Sequence, residues 1–239
     1  MKHIVLVHGS WYGSWCWDRV ADKLRAQGYH VSAPDLPAHG RDETPIAQVS
    51  LAGYAERVAR AIDETGADKA VVVGHSMAGA VLSELAERHP DKVERLVYLA
   101  AYLLGDGESI FQHAASDADS ALGPSLRPDE SRGVIAVVDE GFSAALASGC
   151  SAADVELARK QARPDPLAPL ATPIHVTAER FGKVPRVYIK TTEDKAVSTS
   201  LQTKLLGATP TPTVELASGH SPFLSHVDAL VSALGRAME

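Results

Sequence analysis

Ala70-Val71-Val72-Val73-Gly74-His75-Ser76-Met77-Ala78-Gly79 runs without a break into Ala80-Val81-Leu82-Ser83-Glu84-Leu85-Ala86-Glu87-Arg88-His89. The opening valines read as a short buried strand, and the closing residues are helix formers. Between them stands a G-x-S-x-A string centred on Ser76. A strand that turns sharply into a helix lifts one serine hydroxyl above the edge of a sheet, the arrangement called a nucleophile elbow. Such a turn crowds its neighbours, so small residues are needed two positions before the serine (Gly74) and two after (Ala78). Ala78 stands where the usual pattern has glycine, and Gly79 beside it is expected to ease that departure. The string alone is common. The strand before it and the helix after it make it specific.

Outward from the elbow the same rhythm repeats. Strands are expected over residues 3–7, 29–33, 93–100, 186–190 and 213–216, with helices over 17–27, 50–66, 198–206 and 223–237. In the first helix Trp17, Val20, Ala21 and Leu24 share one face and Gly28 is the stop. Six β runs with helices between them predict a parallel sheet covered on both faces. The alternation breaks across residues 103–182, which hold Ala/Ser/Asp-rich loops and two short helical candidates at 141–148 and 152–162. So long a break in a compact domain is usually functional. The expected organisation is therefore a core of residues 1–102 and 183–239 with a cap inserted over 103–182.

Ligands of such sheets bind beyond the carboxyl ends of the strands. His8-Gly9-Ser10, Ser76, Asp194 and His220 all fall there. A serine hydroxyl is a weak nucleophile until a base takes its proton, and histidine suits that task near neutral pH. Of the ten histidines, His220 is favoured, in the turn Ser218-Gly219-His220-Ser221-Pro222 between the last strand and the last helix. The base needs a carboxylate to hold its tautomer. Chain order Ser, acid, His points to Asp194, with Glu193 and Asp106 as alternatives. A developing oxyanion needs placed N–H donors. The backbone amides of Met77 and Ser10 are the candidates, and Gly9, Trp11 and Tyr12 are the candidates for contact with substrate. Phe111, Phe142 and Leu146 are candidates for the cap's contribution to the pocket wall.

Composition bounds the rest. The 239 residues are 45% hydrophobic and carry a net charge of -7 with both signs interspersed. That argues against nucleic acid or an anionic membrane as partner. No run approaches the roughly 20 apolar residues of a membrane span. No charged-then-apolar leader pattern is read, so a cytoplasmic location is expected, with Cys16 and Cys150 as free thiols. No zinc spacing and no Gly-rich phosphate loop is read, so no metal or cofactor is expected.

Val7-His8-Gly9-Ser10-Trp11-Tyr12-Gly13-Ser14-Trp15-Cys16-Trp17, the elbow, Glu179-Arg180-Phe181-Gly182, Thr192-Glu193-Asp194-Lys195-Ala196 and Ser218-Gly219-His220-Ser221-Pro222-Phe223 together resemble the α/β-hydrolase superfamily. More narrowly they resemble the plant methylesterase and hydroxynitrile lyase family and its bacterial carboxylesterase relatives. The resemblance spans nearly the whole chain. It implies an α/β-hydrolase fold with a cap, Ser76, Asp194 and His220 as a triad, Ser10 and Met77 as oxyanion donors, and no cofactor. It leaves oligomeric state open, although relatives often form homodimers. The best-known lyases of this group carry threonine where this chain has Gly9, and lysine where it has Ser221. Another lyase branch has asparagine at the first of these positions. Glycine there is the esterase pattern. The expectation is a serine carboxylesterase acting on a small ester. The alternatives are a hydroxynitrile lyase, a lactonase or acyltransferase on the same triad, and a low-turnover small-ligand receptor.

Overall fold

The computed structural model describes residues 2–239. Strands β1 (His3–Val7), β2 (His30–Ser32), β3 (Ala70–His75) and β4 (Val93–Leu99) are joined by helices α1 (Asp18–Ala26), α2 (Leu51–Glu64) and α3 (Ala78–Arg88). An insertion follows β4. It carries α4 (Ile110–Ser116), β5 (Leu126–Asp129), β6 (Val134–Val137), α5 (Asp139–Gly141), α6 (Ala152–Gln161), β7 (Asp165–Pro166) and α7 (Leu167–Ala171). The chain then resumes with β8 (Arg186–Thr191), α8 (Thr199–Ala208), β9 (Thr213–Leu216), α9 (Pro222–Ser225) and α10 (Val227–Met238).

The main sheet has the order β2-β1-β3-β4-β8-β9. All five of its pairings are parallel. β3 is buried at every position because helices cover both faces of the sheet. That is why Ala70-Val71-Val72-Val73 shows no polar alternation. Ser50 caps α2 by accepting from the Gly53 N–H at 3.0 Å. The Val58, Ala61 and Ile62 stripe of α2 is fully buried.

Several elements differ from the sequence reading, among them the short helix α7, which was not expected. The insertion contains an antiparallel three-stranded sheet, β5-β6-β7, where only loops and helices were expected. It also contains α4, whose capping box joins Ser109 and Gln112. The last helix is two helices, because His226 leaves helical geometry (φ -133°, ψ 48°) between α9 and α10.

Candidate active site

β3 ends at His75, and Ser76 takes the left-handed conformation (φ 54°) before α3 begins. A side chain at positive φ is strained, so surrounding bonds must hold it there. The Ser76 N–H donates to the Leu99 carbonyl at 3.2 Å. The Ser76 carbonyl accepts from Gly79 N at 3.0 Å and Tyr102 N at 3.1 Å. At Gly74 a Cβ would lie 2.5 Å from Leu82 Cδ1 and 3.0 Å from the Ala78 carbonyl oxygen, so a larger residue would push Leu82 aside. Ala78 fits, fully buried. Gly79 serves a different purpose from easing the turn: a Cβ there would lie 2.4 Å from the Tyr102 carbonyl oxygen. Its absence lets the chain leaving β4 pass over the start of α3.

Ser76 and His220 line one cavity, together with Ser10, Trp11, Tyr102 and Phe111. The cavity is narrow, with a volume of about 70 Å³. The remainder of its wall is aliphatic, from Ile110, Leu122 and Leu126 through Ile135, Leu170 and Val197, and none of its lining residues is charged. His220 is 1% exposed, and its Nδ1 lies 2.8 Å from Asp194 Oδ2. Asp194 Oδ1 accepts from the Ala196 and Val197 N–H groups at 2.8 and 3.0 Å. Asp194 is thus the carboxylate brought to His220. Asp106 instead accepts from Val176 N in the insertion, and Glu193 is exposed.

The Ser10 and Met77 amides, 6% and 1% exposed as residues, donate to no acceptor among the described residues. Gly9 sits against the nucleophile position: a Cβ on Gly9 would lie 2.8 Å from Ser76 Cβ and 2.9 Å from His75 Nδ1. Trp11, at φ 64°, lines the cavity, and its Nε1–H donates to the Ile135 carbonyl at 2.9 Å. Tyr12 does not line it. Its ring packs behind the site against Phe223 and His75, and its hydroxyl is paired with Ser221 Oγ at 2.9 Å. Burial pushes the Tyr12 phenol up, so it stays protonated. Of the insertion's candidates Phe111 lines the cavity, while Phe142 is buried elsewhere and the Leu146 carbonyl accepts from Ser221 Oγ at 2.6 Å.

Two further histidines support the site in neutral form. His8 Nδ1 donates to the Gly9 carbonyl at 2.9 Å, and its Nε2 accepts from Leu36 N at 3.1 Å. Burial, aided by His39, lowers His8 to about 3. His75 Nε2 donates to the His220 carbonyl at 2.8 Å, and burial followed by the neighbouring His220 holds it well below the usual imidazole range. The sequence reading passed over Tyr102, Val197 and Leu170, because lining by an insertion and by loop backbones leaves no periodic signal. No cluster of three or more His, Cys, Asp or Glu side chains among the described residues is arranged to hold a metal ion. No helix among them is long and apolar enough to cross a membrane.

Residues 4–233 match the model of the alpha/beta hydrolase family. The chain belongs to that family. Among the relatives of this α/β hydrolase, methylesterase 7 of Arabidopsis thaliana is 32% identical, over 98% of this chain and 95% of its own. Salicylic acid-binding protein 2 of Nicotiana tabacum is 32% identical over 84% and 82%. The solved structure of a polyneuridine aldehyde esterase superposes with a TM-score of 0.90 at 25% identity, covering 100% of both chains. Some relatives are longer. The α/β hydrolase described here spans 54%, 55% and 62% of Arabidopsis thaliana proteins bearing the names methylesterase 13, 15 and 11.

Proposed function

We propose that this α/β hydrolase is a serine carboxylesterase acting on small, uncharged esters. The observation that carries the reading is the strained Ser76 at the end of β3, sharing a cavity with His220, whose Nδ1 is held 2.8 Å from Asp194. The Nδ1–H bond to Asp194 leaves His220 Nε2 with its lone pair free for a proton. His220 takes the Ser76 proton as Oγ attacks the ester carbonyl. The Ser10 and Met77 N–H groups, which have no other acceptor, receive the tetrahedral oxyanion. Collapse of that intermediate expels the alcohol, which takes its proton from His220. Water, deprotonated by the same imidazole, then attacks the acyl-Ser76 ester and releases the acid.

The insertion acts as a cap in this account, supplying Phe111, Leu126 and Ile135 to the wall. An apolar wall without charge favours compact aromatic or aliphatic ester parts over ionic ones. The esterase names of the relatives support the reaction class. Lyase chemistry is disfavoured because Gly9 offers no hydroxyl and Ser221 no charge where the best-known lyases of this group carry threonine and lysine. Salicylic acid-binding protein 2 keeps a ligand-binding reading in view by its name. The test is hydrolysis of a panel of p-nitrophenyl and methyl esters by wild type and Ser76→Ala, with mandelonitrile cleavage beside it. Ester turnover that vanishes in the variant, without cyanide release, supports the esterase. Cyanide release, or binding without turnover, transfers the assignment to a lyase or a receptor.

A further inference from the structure

Gln202 lies on α8, fully buried. Its amide orientation is dictated by the main chain, because the Thr191 N–H donates to Oε1 at 3.2 Å. The nitrogen end therefore faces only acceptors: the Val197 carbonyl at 2.8 Å, Thr191 Oγ1 at 3.1 Å, Asp194 Oδ2 at 3.2 Å and the Thr191 carbonyl at 3.4 Å. Since Thr191 Oγ1 accepts from Gln202, its own proton is left for Asp194 Oδ2, 2.8 Å away. The order of donation runs from Thr191 N–H to Gln202, from Gln202 to Thr191 Oγ1, and from Thr191 O–H to Asp194. Oδ2 thus receives the Thr191 hydroxyl besides His220 Nδ1, with the Gln202 nitrogen 3.2 Å away, while Oδ1 is held by two backbone amides.

A leucine of similar size would fill this space and leave nothing unpaired of its own. A buried carboxamide is costly unless every polar atom is satisfied. Here each of its polar atoms is spent on Asp194, on the residue that donates to Asp194, or on the loop carrying it. We infer that Gln202 is a positioning residue which, with Thr191, locks the Asp194 carboxylate in the one orientation that receives the His220 Nδ1–H. The inference rests on the triad reading above. Without the lock only the two backbone amides on Oδ1 hold the carboxylate, and His220 samples more of the tautomer whose Nε2 already carries a proton.

The test uses p-nitrophenyl acetate and the full chain with Gln202→Leu, Gln202→Glu and Thr191→Val, each also placed in an Asp194→Asn background. Gln202→Leu is expected to lower kcat about tenfold with KM within about twofold. In the Asp194→Asn background the same change is expected to alter the residual kcat by less than about twofold, because the group being oriented is gone. Gln202→Glu gives the signature that a packing role cannot. A protonated carboxyl donates O–H where the amide donated N–H, so while it is protonated the variant follows the wild-type profile. Activity falls as the new carboxylate ionises beside Asp194, adding a descending limb that wild type lacks. The titratable group in contact with that position is Asp194, itself bonded to His220, and the phenols of Tyr188 and Tyr102, which sense Asp194, are pushed up chiefly by burial and so uncharged throughout. Should Gln202→Leu fail to fold, the Gln202→Glu profile and Thr191→Val, with its expected loss in kcat, still decide. Equal losses in both backgrounds, or wild-type kcat with no new limb, overturn the inference and leave the triad reading standing. Full turnover by Ser76→Ala and Asp194→Asn overturns the triad reading and the inference with it.

Discussion

At the scale of the residue, the site is a set of side chains and amides with one conformation each. Ser76 at φ 54° stores strain of about 1–3 kcal/mol, held by the bonds to Leu99, Gly79 and Tyr102. Ser76→Ala keeps that backbone and removes only the nucleophile, so kcat should fall at least about 10,000-fold with little change in unfolding temperature, as ester kinetics and calorimetry would show. Gly9→Ala drives a methyl to 2.8 Å from Ser76 Cβ and should cost about 1–3 kcal/mol together with most of the activity. A variant as stable and active as wild type would contradict the crowding. His8 gives a pH dependence. Its value falls from 6.5 to about 3 on folding, so between those limits the unfolded chain binds the proton and the folded chain does not. The associated stability is complete above about pH 6.5 and is lost as pH falls, by about 1.4 kcal/mol per unit. Thermal unfolding of wild type and His8→Gln across that range should differ in slope by that amount, with wild type the steeper.

At the scale of the element, two loops and an insertion meet at the site. The loop after β1 is tied to the insertion on both sides of Trp11: its indole donates to the Ile135 carbonyl on β6, and its carbonyl accepts from Arg163 N at 3.2 Å. These bonds fix the segment that presents the Ser10 amide. Trp11→Phe keeps an aromatic wall and removes the indole tie, while the Ile135 carbonyl keeps its ladder bond to β7. It should cost about 0.5–1.5 kcal/mol and lower kcat/KM, read from parallel unfolding and ester kinetics, and unchanged values in both would refute the link. The core elements were legible because each carries its own signal. The β3 valines, the Val20-Ala21-Leu24 stripe of α1 and the G-x-S-x-A turn are local patterns. The sheet of the insertion was not. β5 reads Leu126-Arg127-Pro128-Asp129, charged and interrupted by proline, and β7 is only Asp165–Pro166. Such strands exist because a partner pairs with them, which no short window of sequence reveals. Ser109 and Gln112 did carry a signal for α4, the S-x-x-Q spacing of a capping box.

At the scale of the whole molecule, the parallel sheet brings Ser76, Asp194 and His220 together from distant parts of the chain, and the insertion closes over them. Order along the chain made the three residues readable. The cavity wall was not readable, since Tyr102, Leu170 and Val197 converge only once the insertion has packed. Among the buried contacts joining the two parts, His39 Nε2 and Asp165 Oδ1 are 2.7 Å apart, both fully buried, the first after β2 and the second on β7. His39→Ala leaves the Asp165 carboxyl buried without that partner, at a cost of about 1–3 kcal/mol. Limited proteolysis should then cut the insertion sooner than in wild type, and an unchanged cleavage rate would show that other contacts suffice. The central claim is that Ser76 becomes acylated. It is tested most directly by acid-quenching the enzyme during turnover of p-nitrophenyl acetate and locating the acetyl group by peptide mass spectrometry. The account predicts one acetyl per chain, on the peptide containing Ser76, formed in a burst and absent from Ser76→Ala. An acetyl found elsewhere, or turnover with no acylated Ser76, would contradict it.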